Sequence, residues 1–241
     1  VDPETKPTIA RQYEVRYDGT LVFESEGRRQ LEASTSEQIF TSAILRVTGD
    51  KQKKVYFLTG HGERSTDDFT EEGFGEAGAG VVADNYEVAT LSLATEAMVP
   101  ADAAVLVIAS PKSKLLEAET KAIDEYLDDG GKVFLLLDPG YETGLEGTLA
   151  KWGMVFEKGV VVDTSSFAFP EVTTPLVQQG MYPPNNPITR DLGNTFFNGA
   201  GSISPAETIE DYIAILPLAI TSMDSWVETD EETINFEPDE D

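Results

Sequence analysis

Three strand-length runs in this chain are continuously or almost continuously apolar: Val55–Thr59, Ala103–Ala109 and the Val133–Leu137 stretch within Lys132–Asp138. A strand with one face in water alternates polar and apolar residues, so uninterrupted runs predict strands covered on both faces. Between them lie helical patterns: a weak one over Asp67–Asp84, and a clear amphipathic one over Leu115–Leu127 that Gly130-Gly131 ends. A further strand at Tyr86–Leu93, a short helix at Leu145–Trp152 and a strand at Val155–Asp163 continue the alternation. Strands alternating with helices predict an α/β fold: a flavodoxin-like or amidotransferase-like, mostly parallel sheet with helices on both faces.

Ahead of this core, Gln12–Tyr17 alternates like a half-buried strand, and Asp18-Gly19 followed by Thr20–Glu24 predicts a two-residue hairpin. Arg28–Ala33 extends it to a small meander. Capping boxes at Ser34–Glu37 and Thr35–Gln38 precede Ile39, Phe40, Ala43, Ile44 and Val47 at helical spacing, with Gly49 at the end. A basic patch of Lys51, Lys53 and Lys54 leads into the next strand. Beyond Asp163 the periodicity fails. Residues 164–205 are rich in proline and predict an irregular excursion; Ser204-Pro205-Ala206-Glu207 reads as a helix start, and Ile213–Thr221 as a returning strand. The expected organisation is therefore an N-terminal hairpin and linking helix over 1–50, an α/β domain over 51–228, and an acidic tail or linker over 229–241.

Composition excludes several chemistries. With no cysteine, thiol nucleophiles, Cys-ligated zinc and iron–sulfur clusters are ruled out. A formal charge of −27 over 241 residues repels phosphate polyanions, so no nucleic-acid partner is expected. After Arg190 there is no Lys or Arg, while residues 191–241 hold thirteen acids. A solvated acidic end explains them, and the spacing of an EF-hand calcium loop is missing. No run reaches the roughly 20 apolar residues that cross a bilayer. The sequence also begins without Met and without a signal-like segment, so the expectation is that any signal or anchor has been cut off or never existed.

In a doubly wound sheet of order 2-1-3-4-5, the ligand crevice lies beyond the carboxyl ends of the strands starting at Val55 and Ala103. The candidates there are Gly60, His61, Gly62 and Glu63 after the first strand, Ser110 after the third, and Asp138 after the fourth. His61 is the chain's one histidine; with Glu63 it offers proton transfer or hydrogen bonding, and the glycines allow close backbone approach. Gly-rich turns and Asp-Pro exits also serve as plain structural punctuation. A literal G-x-G-x-x-G at Gly73–Gly78 does not directly follow a strand and sits among Glu71, Glu72 and Glu76, so it does not read as a dinucleotide site. No G-x-S-x-G elbow, P-loop or H-E-x-x-H occurs, no carboxylate pair stands out, and no cofactor or metal is expected.

The stretch Val55-Tyr-Phe-Leu-Thr-Gly-His-Gly-Glu63 resembles the GldG-like family of auxiliary components of ABC-type transport systems, some linked to gliding motility. Gly19–Glu24, Gly27–Arg29 and Ser36–Leu45 extend the likeness upstream. Val99–Asp102, Val107–Lys112, Tyr126-Leu127 with Gly130-Gly131, Leu137–Pro139, Asn186–Thr189 and Thr221–Trp226 extend it downstream, so that it spans residues 19–228. Relatives often carry His where Asn186 stands, so no imidazole role carries over to that position. The resemblance implies a domain similar to the class I glutamine amidotransferase fold, without that activity because the cysteine is missing. It implies an extracytoplasmic, soluble piece of a membrane-anchored protein that works with ABC transporter permease and ATPase subunits. The function expected is a non-catalytic interaction or ligand-binding domain. The competing expectation is a domain that binds or hydrolyses a small, carbohydrate-like molecule in the crevice.

Overall fold

The computed structural model describes residue 2, residues 4–49 and residues 52–229. Two compact units result: one takes the residues up to Ala109 together with Glu125–Phe134, the other takes Ser110–Asp124 and the residues from Leu135 onward.

The first unit begins with a short helix, α1 (Pro7–Gln12), and an antiparallel hairpin of β1 (Leu21–Ser25) and β2 (Arg28–Glu32). The expected hairpin is thus one step late. Its turn is Glu26-Gly27, with φ values of 49° and 81°, the two positive φ angles that a type I′ turn demands. Asp18-Gly19 bends the chain, but no strand precedes it, because α1 takes Gln12 and Glu14 stands at φ 57°, outside the extended region. Arg29 holds that segment instead, donating to the Gln12 carbonyl at 2.8 Å and covering the Tyr13 ring at 4.5 Å.

The helix α2 (Glu37–Thr48) is capped by Ser36, whose hydroxyl accepts from the Ile39 N–H, one position beyond the nearer of the two expected capping boxes. It packs on the hairpin, with Phe40 edge-on to Phe23 at 5.5 Å, and buries Ala43 and Val47.

Next come β3 (Lys54–Leu58), α3 (Gly75–Ala83), β4 (Glu87–Leu91), β5 (Ala103–Ala109), α4 (Glu117–Asp128) and β6 (Val133–Leu136). The four strands form a parallel sheet in the order β4-β3-β5-β6. Phe57, Leu58, Leu106 and Ile108 are buried in its two middle strands, as their unbroken apolar runs require. The helix expected from Asp67 starts only at Gly75. Ahead of it the chain folds on itself, with the Phe74 N–H on the Ser65 carbonyl and the Gly75 N–H on the Asp68 carbonyl, both at 2.8 Å. A Cβ on Gly73 would lie 1.9 Å from the Asp68 oxygen. The first two glycines of the G-x-G-x-x-G pattern therefore serve the packing of this loop.

The second unit holds α5 (Glu146–Lys151) and short strands β7 (Met154–Phe156), β8 (Val160–Asp163), β9 (Phe167–Ala168), β10 (Glu171–Val177), β11 (Thr195–Phe196), β12 (Ile203–Pro205) and β13 (Ser225–Glu228). Their pairings are antiparallel: β12 with β7, β13 with β8, and β10 between β9 and β11. The strand expected over Val155–Asp163 is cut in two at Gly159, where φ is 124° and a Cβ would stand 2.3 Å from the Glu228 carbonyl oxygen. Residues 164–205 are not irregular throughout, since β10 runs for seven residues across Pro175 with a register shift there. Ser204-Pro205 lies in β12 opposite Val155 and Met154 rather than opening a helix; proline is tolerated at a strand end. Ile213–Thr221 forms no strand, and Leu216 and Ile220 stay exposed. The acidic tail expected from 229 lies, beyond Thr229, outside the described residues.

Candidate functional site

The turn after β3 is built from both sides of the sheet. Thr59 donates its N–H and its hydroxyl to the Leu91 carbonyl at the end of β4, at 2.8 and 3.2 Å. Five residues on, the Arg64 N–H reaches the Ala109 carbonyl at the end of β5, at 2.9 Å. The segment between them therefore bridges the carboxyl ends of three strands. Gly60 and Gly62, at φ values of 124° and 80°, occupy backbone conformations that side chains strongly disfavour, which is why glycine flanks the histidine.

His61 and Glu63 are both withdrawn from water, with side chains 10% and 2% exposed. One oxygen of Glu63 accepts the His61 backbone N–H at 2.7 Å; the other lies 3.1 Å from His61 Nδ1. The carboxylate thus clamps the turn and fixes the ring. Arg64, the next residue, donates to the carbonyls of Glu71 and Glu72 and lies over the Phe74 ring at 5.9 Å, so it anchors the loop ahead of α3.

Ser110 and Asp138 belong to the second unit. Ser110 is buried, with φ at 56°, and donates its N–H to the Leu136 carbonyl at 2.9 Å. Asp138 is half-buried, and its neighbours Leu137 and Pro139 line a cleft of about 600 Å³. The structure brings Gly60, His61, Gly62 and Glu63 into one turn, and sets Ser110 just after β5 and Asp138 shortly after β6, both within the other unit. Sequence reasoning missed other residues that line this cleft, among them Phe156, Lys158 and Thr173. They come from β10 and the broken β7–β8 segment, and the only local signal for them was the glycine at 159.

Of the basic patch, Lys51 lies outside the described residues, and Lys54 is neutralised by Glu87 at 3.4 Å and Asp102 at 3.1 Å. Among the described residues no cluster of three or more His, Asp or Glu side chains is arranged to hold a metal ion, and no helix is long and apolar enough to cross a membrane.

No curated protein matches this chain. Among solved structures it is similar to the mmIFT52 N-terminal domain, at 18% identity and a TM-score of 0.50 over 64% of this chain and 68% of that one. At that identity the likeness concerns the fold alone. The model of a protein family described as an ABC-type uncharacterized transport system matches residues 52–241, which takes in the parallel sheet, the Gly60–Glu63 turn and the whole cleft. The chain belongs to this family of ABC transport-associated proteins.

Proposed function

We propose that this chain is the recognition domain of a GldG-like auxiliary protein, standing on the extracytoplasmic face of the membrane and carrying out no turnover of its own. Its partners are the permease and ATPase subunits of an ABC transporter, reached through membrane segments outside this sequence. In gliding bacteria that assembly would serve motility. The four-strand order supports reading the sheet as the core of a flavodoxin-like or amidotransferase-like arrangement.

The observation that carries the proposal is the clamp of Glu63 on His61. A carboxylate whose two oxygens are taken by the ring and the backbone of one residue stabilises a fixed surface shape. The turn Gly60–Glu63, and separately the exits at Ser110 and Asp138, are then recognition elements rather than reacting groups. The test is co-purification from membranes of the full-length protein with the permease and ATPase encoded beside it. A complex lost when this domain is deleted, and weakened in Glu63→Ala with the fold intact, supports the reading; full retention in Glu63→Ala would remove the turn from the recognition surface.

A second reading rests on the same pair. A histidine held at Nδ1 by a buried carboxylate is also how a general base is oriented. Hydrolysis of a glycoside, ester or amide by the wild type, abolished in His61→Ala with the fold intact, would favour it and overturn the first.

A further inference from the structure

The cleft of the second unit combines an apolar floor with uncommitted polar groups at its rim. Leu137, Leu149, Phe156, Val160 and Val162 supply the floor. Lys158 lines it as an exposed ammonium with no ion pair or hydrogen bond among the described residues. Glu142 is likewise exposed and unengaged there, and Glu146 accepts only a long contact from the Thr143 N–H, at 3.4 Å. The hydroxyls of Tyr141 and Thr173 make no hydrogen bond among the described residues. At about 600 Å³ the volume suits a small organic ligand.

We propose that this cleft binds a short apolar peptide of two or three residues by its body and by both of its charged ends. Burial of apolar side chains on the floor drives association. The peptide carboxylate pairs with Lys158, and its ammonium with Glu142 and Glu146. The Tyr141 and Thr173 hydroxyls serve the amide groups between. Charge decides against the simpler ligands. An anionic amphiphile satisfies Lys158 but meets the uncommitted carboxylates of Glu142 and Glu146, with that of Glu228 on the lining besides, and an apolar amine satisfies those two but is opposed by the lysine. A zwitterion with an apolar middle satisfies all of them. This assignment does not depend on the transporter role proposed above.

The test is calorimetric titration of the chain with trileucine, its N-acetyl derivative and its C-terminal amide. Trileucine should bind, and blocking either end should weaken binding about tenfold, as loss of a charge-assisted contact does. Lys158→Met should bind the free peptide and the amide equally while still rejecting the acetylated form. Glu142→Gln should narrow the preference for the free amine while still rejecting the amide. No binding of trileucine, equal binding of all three peptides, or unchanged preferences in both variants would each overturn the proposal.

Discussion

Asp163 and Ser222, 59 residues apart in sequence, meet through two hydrogen bonds: the serine donates its N–H at 2.8 Å and its hydroxyl at 2.7 Å to the two carboxylate oxygens. The same carboxylate accepts the N–H groups of Ser165 and Ser166 at 3.0 and 2.8 Å, and the residue is fully buried. One side chain thus ties the end of β8 to the loop after it and to the segment before β13. Asp163→Ala leaves three N–H groups and a hydroxyl without their acceptor inside a partly buried network, and should cost on the order of 3 kcal/mol in urea unfolding.

The pH dependence of this contact has a definite sign. Burial works to raise the carboxyl's pKa, but the bonds from Ser222, Ser166 and Ser165 outweigh it and hold it below its ordinary value near 3.8. A folded-state pKa below the unfolded one means that the stabilisation is complete above the unfolded value and is lost as pH falls through the folded one. Urea midpoints of wild type and Asp163→Ala should therefore differ most at neutral pH and converge below about pH 4. An equal gap at pH 7 and pH 2.5 would contradict this account.

Glu63 makes the corresponding prediction in the first unit. Its bond to the His61 N–H should slow hydrogen exchange of that amide well below that of an open turn, and Glu63→Ala should release it. The Arg64 N–H, held by the Ala109 carbonyl, should keep its protection in the same variant. Mass-spectrometric or NMR exchange reads both amides at once.

The parallel sheet was legible because its central strands carry apolar residues on both faces, a pattern that no exposed element shares. α2 was legible for the same kind of reason, with a cap and a helical period in one short segment. The second unit was not, since its strands run for two to seven residues and owe their pairing to distant partners. Gly159 divides what reads as one strand because of a carbonyl 69 residues on in the sequence, at Glu228. Conversely, Ile213–Thr221 has the composition of a strand and finds no ladder. The candidate residues fared likewise. The glycine-flanked turn was readable as a turn, whereas the clamp within it depends on how Glu63 folds back, and the cleft depends on contacts between remote loops.

Tyr56, on the middle strand β3, offers a spectroscopic check on the sheet. Its phenol donates to Asp102 at 3.1 Å, and Asp102 also takes Lys54 at 3.1 Å. Burial first, and the bond to Asp102 second, raise the phenol above its ordinary pKa near 10. The lysine beside it works the other way, and weakly. In an ultraviolet titration followed through a Tyr56→Phe difference, Tyr56 should ionise above the ordinary phenol range. Asp102→Ala should bring it down only part of the way, because the burial remains.

The hairpin turn supplies a stabilising substitution. Glu26 holds φ at 49°, a left-handed conformation that its side chain disfavours, and Gly27 follows at 81°. Asparagine enters that region more readily, and Asn-Gly is a preferred pair for a type I′ turn. The ion pair given up, Glu26 with Arg28 at 3.7 Å, has its glutamate 84% exposed. Such a surface pair contributes about 0–1 kcal/mol, with most measured values at the low end. The backbone gain from relieving a left-handed glutamate is on the order of 1 kcal/mol. Glu26→Asn should therefore raise the stability of the first unit by about 0.5 kcal/mol, with Ser25 still opposite Arg28. Glu26→Val, β-branched and poorly suited to positive φ, should lower it. If the two variants shift the urea midpoint in the same direction, the turn is not the type I′ hairpin described.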